Sequence, residues 1–153
     1  MKLFVGLDVS LEKTAICVVS EHGKIEREAQ AASEPEALRR WMGELDGTIA
    51  AIGLEAGPLS QWLHRGLTEA GLDVVLMETR QVKGALKAMP IKTDRRDAEG
   101  IARLLHLGWF RPVHCKSVSA QEVRAVLNAR KAVQQGFIGL EMSLRGLLRN
   151  FGL

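Results

Sequence analysis

The chain has 153 residues, 46% of them apolar and 25% charged, with a formal net charge of +3. That size and balance suit one compact domain with at most an appendage. The first apolar run, Leu3 to Leu7, is broken by Asp8, too short for a signal peptide or a membrane span, and a cytoplasmic location is expected.

Leu3 to Leu7 is continuously apolar, as a strand covered on both faces would be, and it delivers Asp8 to the strand's end. Thr14 to Ser20 reads as a second strand and Ile25 to Ala31 as a third, whose alternation of polar and apolar residues suits a sheet edge. Ser33 and Glu36 form a capping-box signature ahead of a helix to about Leu45, with Ala37, Leu38, Trp41 and Leu45 facing inward. Ile49 to Leu54 is another buried strand and ends at Glu55, so a carboxylate again closes a strand. A helix from Pro58 to about Ala70 packs through Leu59, Trp62, Leu63 and Leu67; Val74 to Met77 gives a fifth strand. A basic helix then runs from Arg80 to about Met89 and stops before Pro90.

The stretch Lys92-Thr93-Asp94-Arg95-Arg96-Asp97-Ala98-Glu99-Gly100 opens the next helix, expected to end near Leu107. With Thr93 as N-cap, Asp94 and Asp97 share the stripe of Ala98, Ile101 and Leu105, which packs inward. Neighbouring carboxylates on an inward stripe cost several kcal/mol unless cations compensate, which points to a divalent metal. The competing explanation is that first-turn acids serve the helix dipole, and from these residues alone both stand.

After Gly108 the pattern breaks, and His114-Cys115 is too isolated to mark a metal site. Cys17 and Cys115 show no disulfide or zinc spacing and read as free thiols. Ser119 and Glu122 form a second capping box opening a helix of about 30 residues, near 45 Å long. Val126, Val133, Phe137, Leu140, Leu144, Leu147 and Phe151 keep the 4-3 spacing of a coiled-coil seam, which implies a homodimer or higher oligomer. Gly136, Gly139 and Gly146 weaken that helix, so a broken helix or helical hairpin competes.

The charge is uneven: residues 1–115 carry 15 bases and 16 acids, residues 116–153 carry 6 and 2. A run of bases is usually a solvated face. Beside metal-binding acids, Lys92, Arg95, Arg96, Arg103, Arg124, Arg130 and Lys131 read as a nucleic-acid backbone track.

Three hairpin-like strands followed by alternating helix and strand, with acids at two strand ends and on a late helix, is an α/β layout of the ribonuclease H-like type. The motifs Leu7-Asp8-Val9-Ser10, Leu54-Glu55-Ala56-Gly57-Pro58 and Lys92 to Glu99 closely resemble the DEDD transposases of the insertion-sequence family numbered one hundred and ten. In the order and spacing of its acids the chain is also similar to the Holliday-junction resolvase RuvC. The resemblance implies a RuvC-like mixed five-stranded sheet flanked by helices over 1–115, then a basic long helix or coiled-coil arm over 116–153. It further implies that Asp8, Glu55, Asp94 and Asp97 hold Mg²⁺ or Mn²⁺, two ions, for phosphodiester chemistry on DNA in transposition. Full-length members continue into a domain with a nucleophilic serine, so this chain resembles their first part, truncated before that domain. The family is similar to RNA-guided systems, which makes a guide (bridge) RNA a candidate partner beside DNA.

Three other functions compete. A sugar-kinase or actin-like ATPase would need a glycine just after the first Asp, where this chain has Val9. A stand-alone Holliday-junction resolvase-like nuclease has about this length but no long C-terminal helix. A non-catalytic nucleic-acid-binding dimerisation module would leave the acids structural, and metal titration separates it from the rest.

Overall fold

The computed structural model describes residues 1–87 and 93–153. The expected end of the basic helix near Met89, and Lys92, lie outside the described residues. The chain divides into two compact units, Met1–Cys115 and Lys116–Leu153.

The first unit is built on a five-stranded sheet. Its strands are β1 (Lys2–Val9), β2 (Lys13–Ser20), β3 (Ile25–Ala32), β4 (Thr48–Glu55) and β5 (Val74–Met77), in the order β3-β2-β1-β4-β5. β1, β2 and β3 form an antiparallel meander, whereas β4 and β5 run parallel to β1. That mixed sheet, with helices on both faces, is the ribonuclease H-like architecture. β1, β2 and β4 carry continuous apolar runs because they lie inside the sheet; β3, at the edge, is exposed or half-buried along its whole length.

One face is covered by α1 (Pro35–Met42) and α2 (Ser60–Glu69), whose Leu38, Met42, Leu63 and Leu67 pack on Val5, Leu7, Ile16, Val18, Ile52 and Leu54. The other face carries α3 (Thr79–Leu86) and α4 (Asp94–His106). There Ala98 and Ala102 meet Ala15, Cys17 and Val19, while Ile101, Leu104 and Leu105 meet Met77 and Val82. Burial pushes the Cys17 thiol up to about 12, so this cysteine is an inert core residue.

Several expected details differ. Ser33 does not cap α1: the cap position is Glu34, without a side-chain bond, and Pro35 starts the helix. Ser33 is instead buried and joins two segments, donating to the Ser10 carbonyl (2.7 Å) and accepting from Thr14 Oγ1 (2.8 Å). Ser33 has one hydroxyl proton, which fixes Thr14 as donor in that pair. Trp62, expected inward, is 43% exposed, because Leu59, Ser60, Leu63 and Leu67 already fill the inner face of α2. α4 ends in a Schellman motif on Gly108 (φ 66°), with Trp109 N donating to Leu104 O and Gly108 N to Leu105 O. The chain then returns along β5 through Glu78 N to Arg111 O and Val113 N to Leu76 O, a pairing the sequence did not suggest.

The second unit is a single helix, α5 (Val118–Arg149), of 32 residues. It is unbroken through its three glycines, which removes the hairpin alternative. Its cap is Ser117, whose Oγ accepts from Ala120 N, and not Ser119.

Candidate metal centre and its supports

The placement of the acids begins with a glycine. An added Cβ at Gly6 would lie 2.9 Å from Ala102 Cα, and closer still to Ala98 O and Ala102 N, so α4 rests directly on the backbone of β1. Gly53, on the neighbouring strand, faces the same helix, with Ile101 Cγ2 3.2 Å from where its Cβ would stand. Side chains alternate along strands, so Asp8 and Glu55 follow Gly6 and Gly53 on the α4 face. They are also neighbours across the sheet, each being the residue after the Leu7↔Leu54 pair.

Thr93 caps α4 as expected, accepting from Arg96 N at 3.3 Å. The first turn brings Asp94 and Asp97 to the end of the sheet where Asp8 and Glu55 lie. Asp94 lines an open groove with Ser10, Glu12, Lys13, Ala15 and Gln30. Ala15 pairs with Asp8 on one side and with Gln30 on the other, which sets Asp94 at the level of Asp8. The inward stripe is only partly as expected: Ala98, Ile101 and Leu105 are buried, Asp97 is half-buried and Asp94 is exposed.

Asp8 and Glu55 are half-buried, and Glu55 Oε1 lies 3.8 Å from Lys83 Nζ of α3. Among the described residues, no three His, Cys, Asp or Glu side chains stand close enough together to hold a metal ion. Lys83 offsets the charge of Glu55. As a donor set, hard oxygen ligands suit Mg²⁺ or Mn²⁺.

The loops behind the acids are pinned by residues that motif reading missed. Beyond Asp8, Ser33 holds the Ser10 carbonyl and Ser33 N donates to Glu12 O. Beyond Glu55, Ser60 Oγ donates to Gly57 O (2.7 Å) and accepts from Gly57 N (2.9 Å), while Thr79 Oγ1 donates to Ala56 O (2.8 Å). The available signal was small hydroxyl residues near glycine turns, which is too common to single them out.

The basic residues separate into two groups. Arg95 forks onto Glu28, and Arg103 donates to Glu99 Oε1 (2.7 Å) and Gly23 O (3.2 Å), so both are engaged within the fold. Arg96 is half-buried, and Arg124, Arg130 and Lys131 are exposed on α5.

A mixed five-stranded sheet of ribonuclease H-like topology, with Asp8 and Glu55 on neighbouring strands and Asp94 and Asp97 opening α4, defines the class of fold. The profile of the IS110 DEDD family, described as transposase, matches residues 5–152, and the chain belongs to that family. Membership of a DEDD family implies divalent-metal dependence in general. The chain is 28% identical over 154 aligned residues to the transposase for insertion sequence element IS1111A of Coxiella burnetii, covering 97% of this chain and 39% of that protein. It is 26% identical over 131 residues to the putative transposase y4qE of Sinorhizobium fredii, covering 83% and 33%. The chain thus spans well under half of either relative. Among solved structures, Thermus thermophilus RuvC in complex with a Holliday junction substrate aligns at 15% identity over 74% of this chain and 100% of that one, with a TM-score of 0.49. No helix among the described residues is long and apolar enough to cross a membrane.

Proposed function

We propose that this chain is the metal-dependent DEDD part of a DNA transposase or recombinase, acting on phosphodiester bonds, and that Asp8, Glu55, Asp94 and Asp97 hold two Mg²⁺ or Mn²⁺ ions. The observation that supports this best is that Asp8 and Glu55 follow paired residues of β1 and β4 on the face and at the end where α4 begins with Asp94 and Asp97. When bound, the cations supply activation of an attacking oxygen and stabilisation of a leaving one. The protein's part is to hold the four acids on rigid elements and to receive the phosphate backbone. Arg96, Arg124, Arg130 and Lys131 are the proposed backbone contacts, for DNA or a guide RNA, while Arg95 and Arg103 stay in their bridges. α5 is proposed to join copies of the chain through its apolar stripe.

Melting curves for wild type, Asp8→Asn and Asp97→Asn, each with chelator and with millimolar Mg²⁺, test the metal assignment. At ten times Kd the ion should stabilise wild type by about 1.4 kcal/mol, a rise of roughly 5 °C for a domain of this size. Either substitution should shrink that gain, and Asp97→Asn should leave the chelated protein as stable as wild type or more so, since a repelling charge has gone. Equal gains in all three proteins would overturn the assignment. Acids that only serve the helix dipole predict instead that Asp97→Asn loses roughly 0.3–1 kcal/mol with or without metal.

The nucleic-acid assignment is tested by salt. Four phosphate contacts predict that affinity for a branched DNA falls roughly a hundredfold between about 50 and 200 mM salt. Binding indifferent to salt would exclude a backbone-dominated contact.

A further inference from the structure

We propose that Glu28 is a positioning residue for the acid pair of α4, acting through Arg95; the inference rests on the metal reading of the quartet. Glu28 sits on the edge strand β3, opposite Cys17, which is itself opposite Gly6. Directly opposed residues share a face, so Glu28 points to the side on which α4 lies over Gly6. Its carboxylate takes both arms of the Arg95 guanidinium: Nε donates to Oε1 at 2.7 Å and Nη2 donates to Oε2. Such a fork fixes direction as well as distance. Arg95 in turn holds the Glu28 carboxyl below the usual carboxylate range, as a committed pair would.

The position along the helix gives the bridge its meaning. Arg95 lies in the first turn of α4, between Asp94 and Asp97, where the backbone cap from Thr93 is long at 3.3 Å. Two further polar ties from α4 to the β2–β3 hairpin, Arg103 to Gly23 O and His106 Nε2 with Glu21 O, hold the far half of the helix. Glu28 therefore anchors the turn that carries the acids.

The test uses the full chain and Mn²⁺, with the dissociation constant read from the paramagnetic signal of free ion, without nucleic acid. Glu28→Gln should raise the Mn²⁺ Kd about tenfold, the scale seen when a partner that orients a ligand is removed. The melting temperature in chelator should move by no more than about 2 °C, because an exposed ion pair adds little to global stability. Amide exchange at Asp97 and Ala98 should quicken in the same variant without metal. Arg95→Gln should raise Kd similarly, and the double variant should be no worse than either single one, since Glu28 acts only through Arg95. Additive effects would overturn that route. An unchanged Kd in Glu28→Gln, with Asp97→Asn weakened, would overturn the positioning role and leave the quartet standing. A wild-type chain that does not bind Mn²⁺ would instead sink the quartet, and this inference with it.

Discussion

A Gly6→Ala chain is expected to melt about 10 °C below wild type in chelator, the result of adding one methyl group. The new Cβ would be 2.9 Å from Ala102 Cα and nearer to Ala98 O and Ala102 N, and all three atoms are helix backbone that no rotamer change can move. Relief requires α4 to lift off β1, uncovering Ala15, Cys17, Val19 and Ala98. Overpacking of this kind costs roughly 3 kcal/mol, the upper part of the usual range, which is about 10 °C for a domain of this size. Gly53→Ala is the control. Its Cβ would meet Met77 Cε at 2.6 Å, the far end of a flexible side chain, so a loss of about 1 kcal/mol is expected. Differential scanning calorimetry of the two variants decides it, and equal melting temperatures would mean that α4 does not lie on β1 as described. A lifted α4 carries Asp94 and Asp97 with it, so any folded Gly6→Ala chain should also lose its metal-dependent gain.

Gly6 shows where sequence reading stops. The strand Leu3 to Leu7 was legible from its apolar run, and so was the place of Asp8 at its end, where it is half-buried. Nothing local distinguishes a glycine that admits a helix backbone from one that merely interrupts a strand; the helix it admits lies about ninety residues later. The same limit explains the serines. Ser33 satisfies the capping-box spacing with Glu36, yet its hydroxyl is better used against Ser10 and Thr14, which only the folded hairpin brings near. Ser119 lost its role to Ser117 by two residues, because two serines so close offer the helix a choice of start.

The acids were legible for a different reason. Their strand ends and helix start are local features, and alternation fixes which face each residue takes once the elements are known. What the residues alone could not convey was degree: Asp94 is exposed where an inward position was expected, since it lines an open groove beside Lys13, Ala15 and Gln30. The bases were least legible. Charge count treats Arg95 and Arg103 like any surface cation, whereas Glu28, sixty-seven residues from Arg95 in sequence, and the Gly23 carbonyl engage them within the fold.

The largest expected change in assembly comes from α5. Wild-type chain is expected to sediment as a dimer or larger species, and the Leu140→Asp, Leu144→Asp chain as a monomer. Along α5, Val126, Val133, Phe137, Leu140, Leu144 and Leu147 are each at least 60% exposed, and with a 4-3 spacing they fall on one stripe. Apolar side chains of this size are stabilised by roughly 1.5–3 kcal/mol each when fully buried, so a stripe left in water along 32 residues favours association strongly. A second copy presents the same stripe in the same register, and a seam of period 3.5 is what two such helices share. Two aspartates per chain place four carboxylates in the seam of a dimer, each costing several kcal/mol to bury without a partner. The helix itself must survive for the comparison to be fair. Asn128→Asp, Gln135→Asp puts the same residue type on the opposite side of α5, at a smaller cost in helix propensity, and should sediment like wild type. Circular dichroism checks that both variants keep α5. Wild type at monomer mass, or a seam variant that stays at wild-type mass, would exclude the stripe as the joining surface. A polar-side variant that dissociates as fully as the seam variant would show that charge, and not the loss of apolar contact, governs assembly.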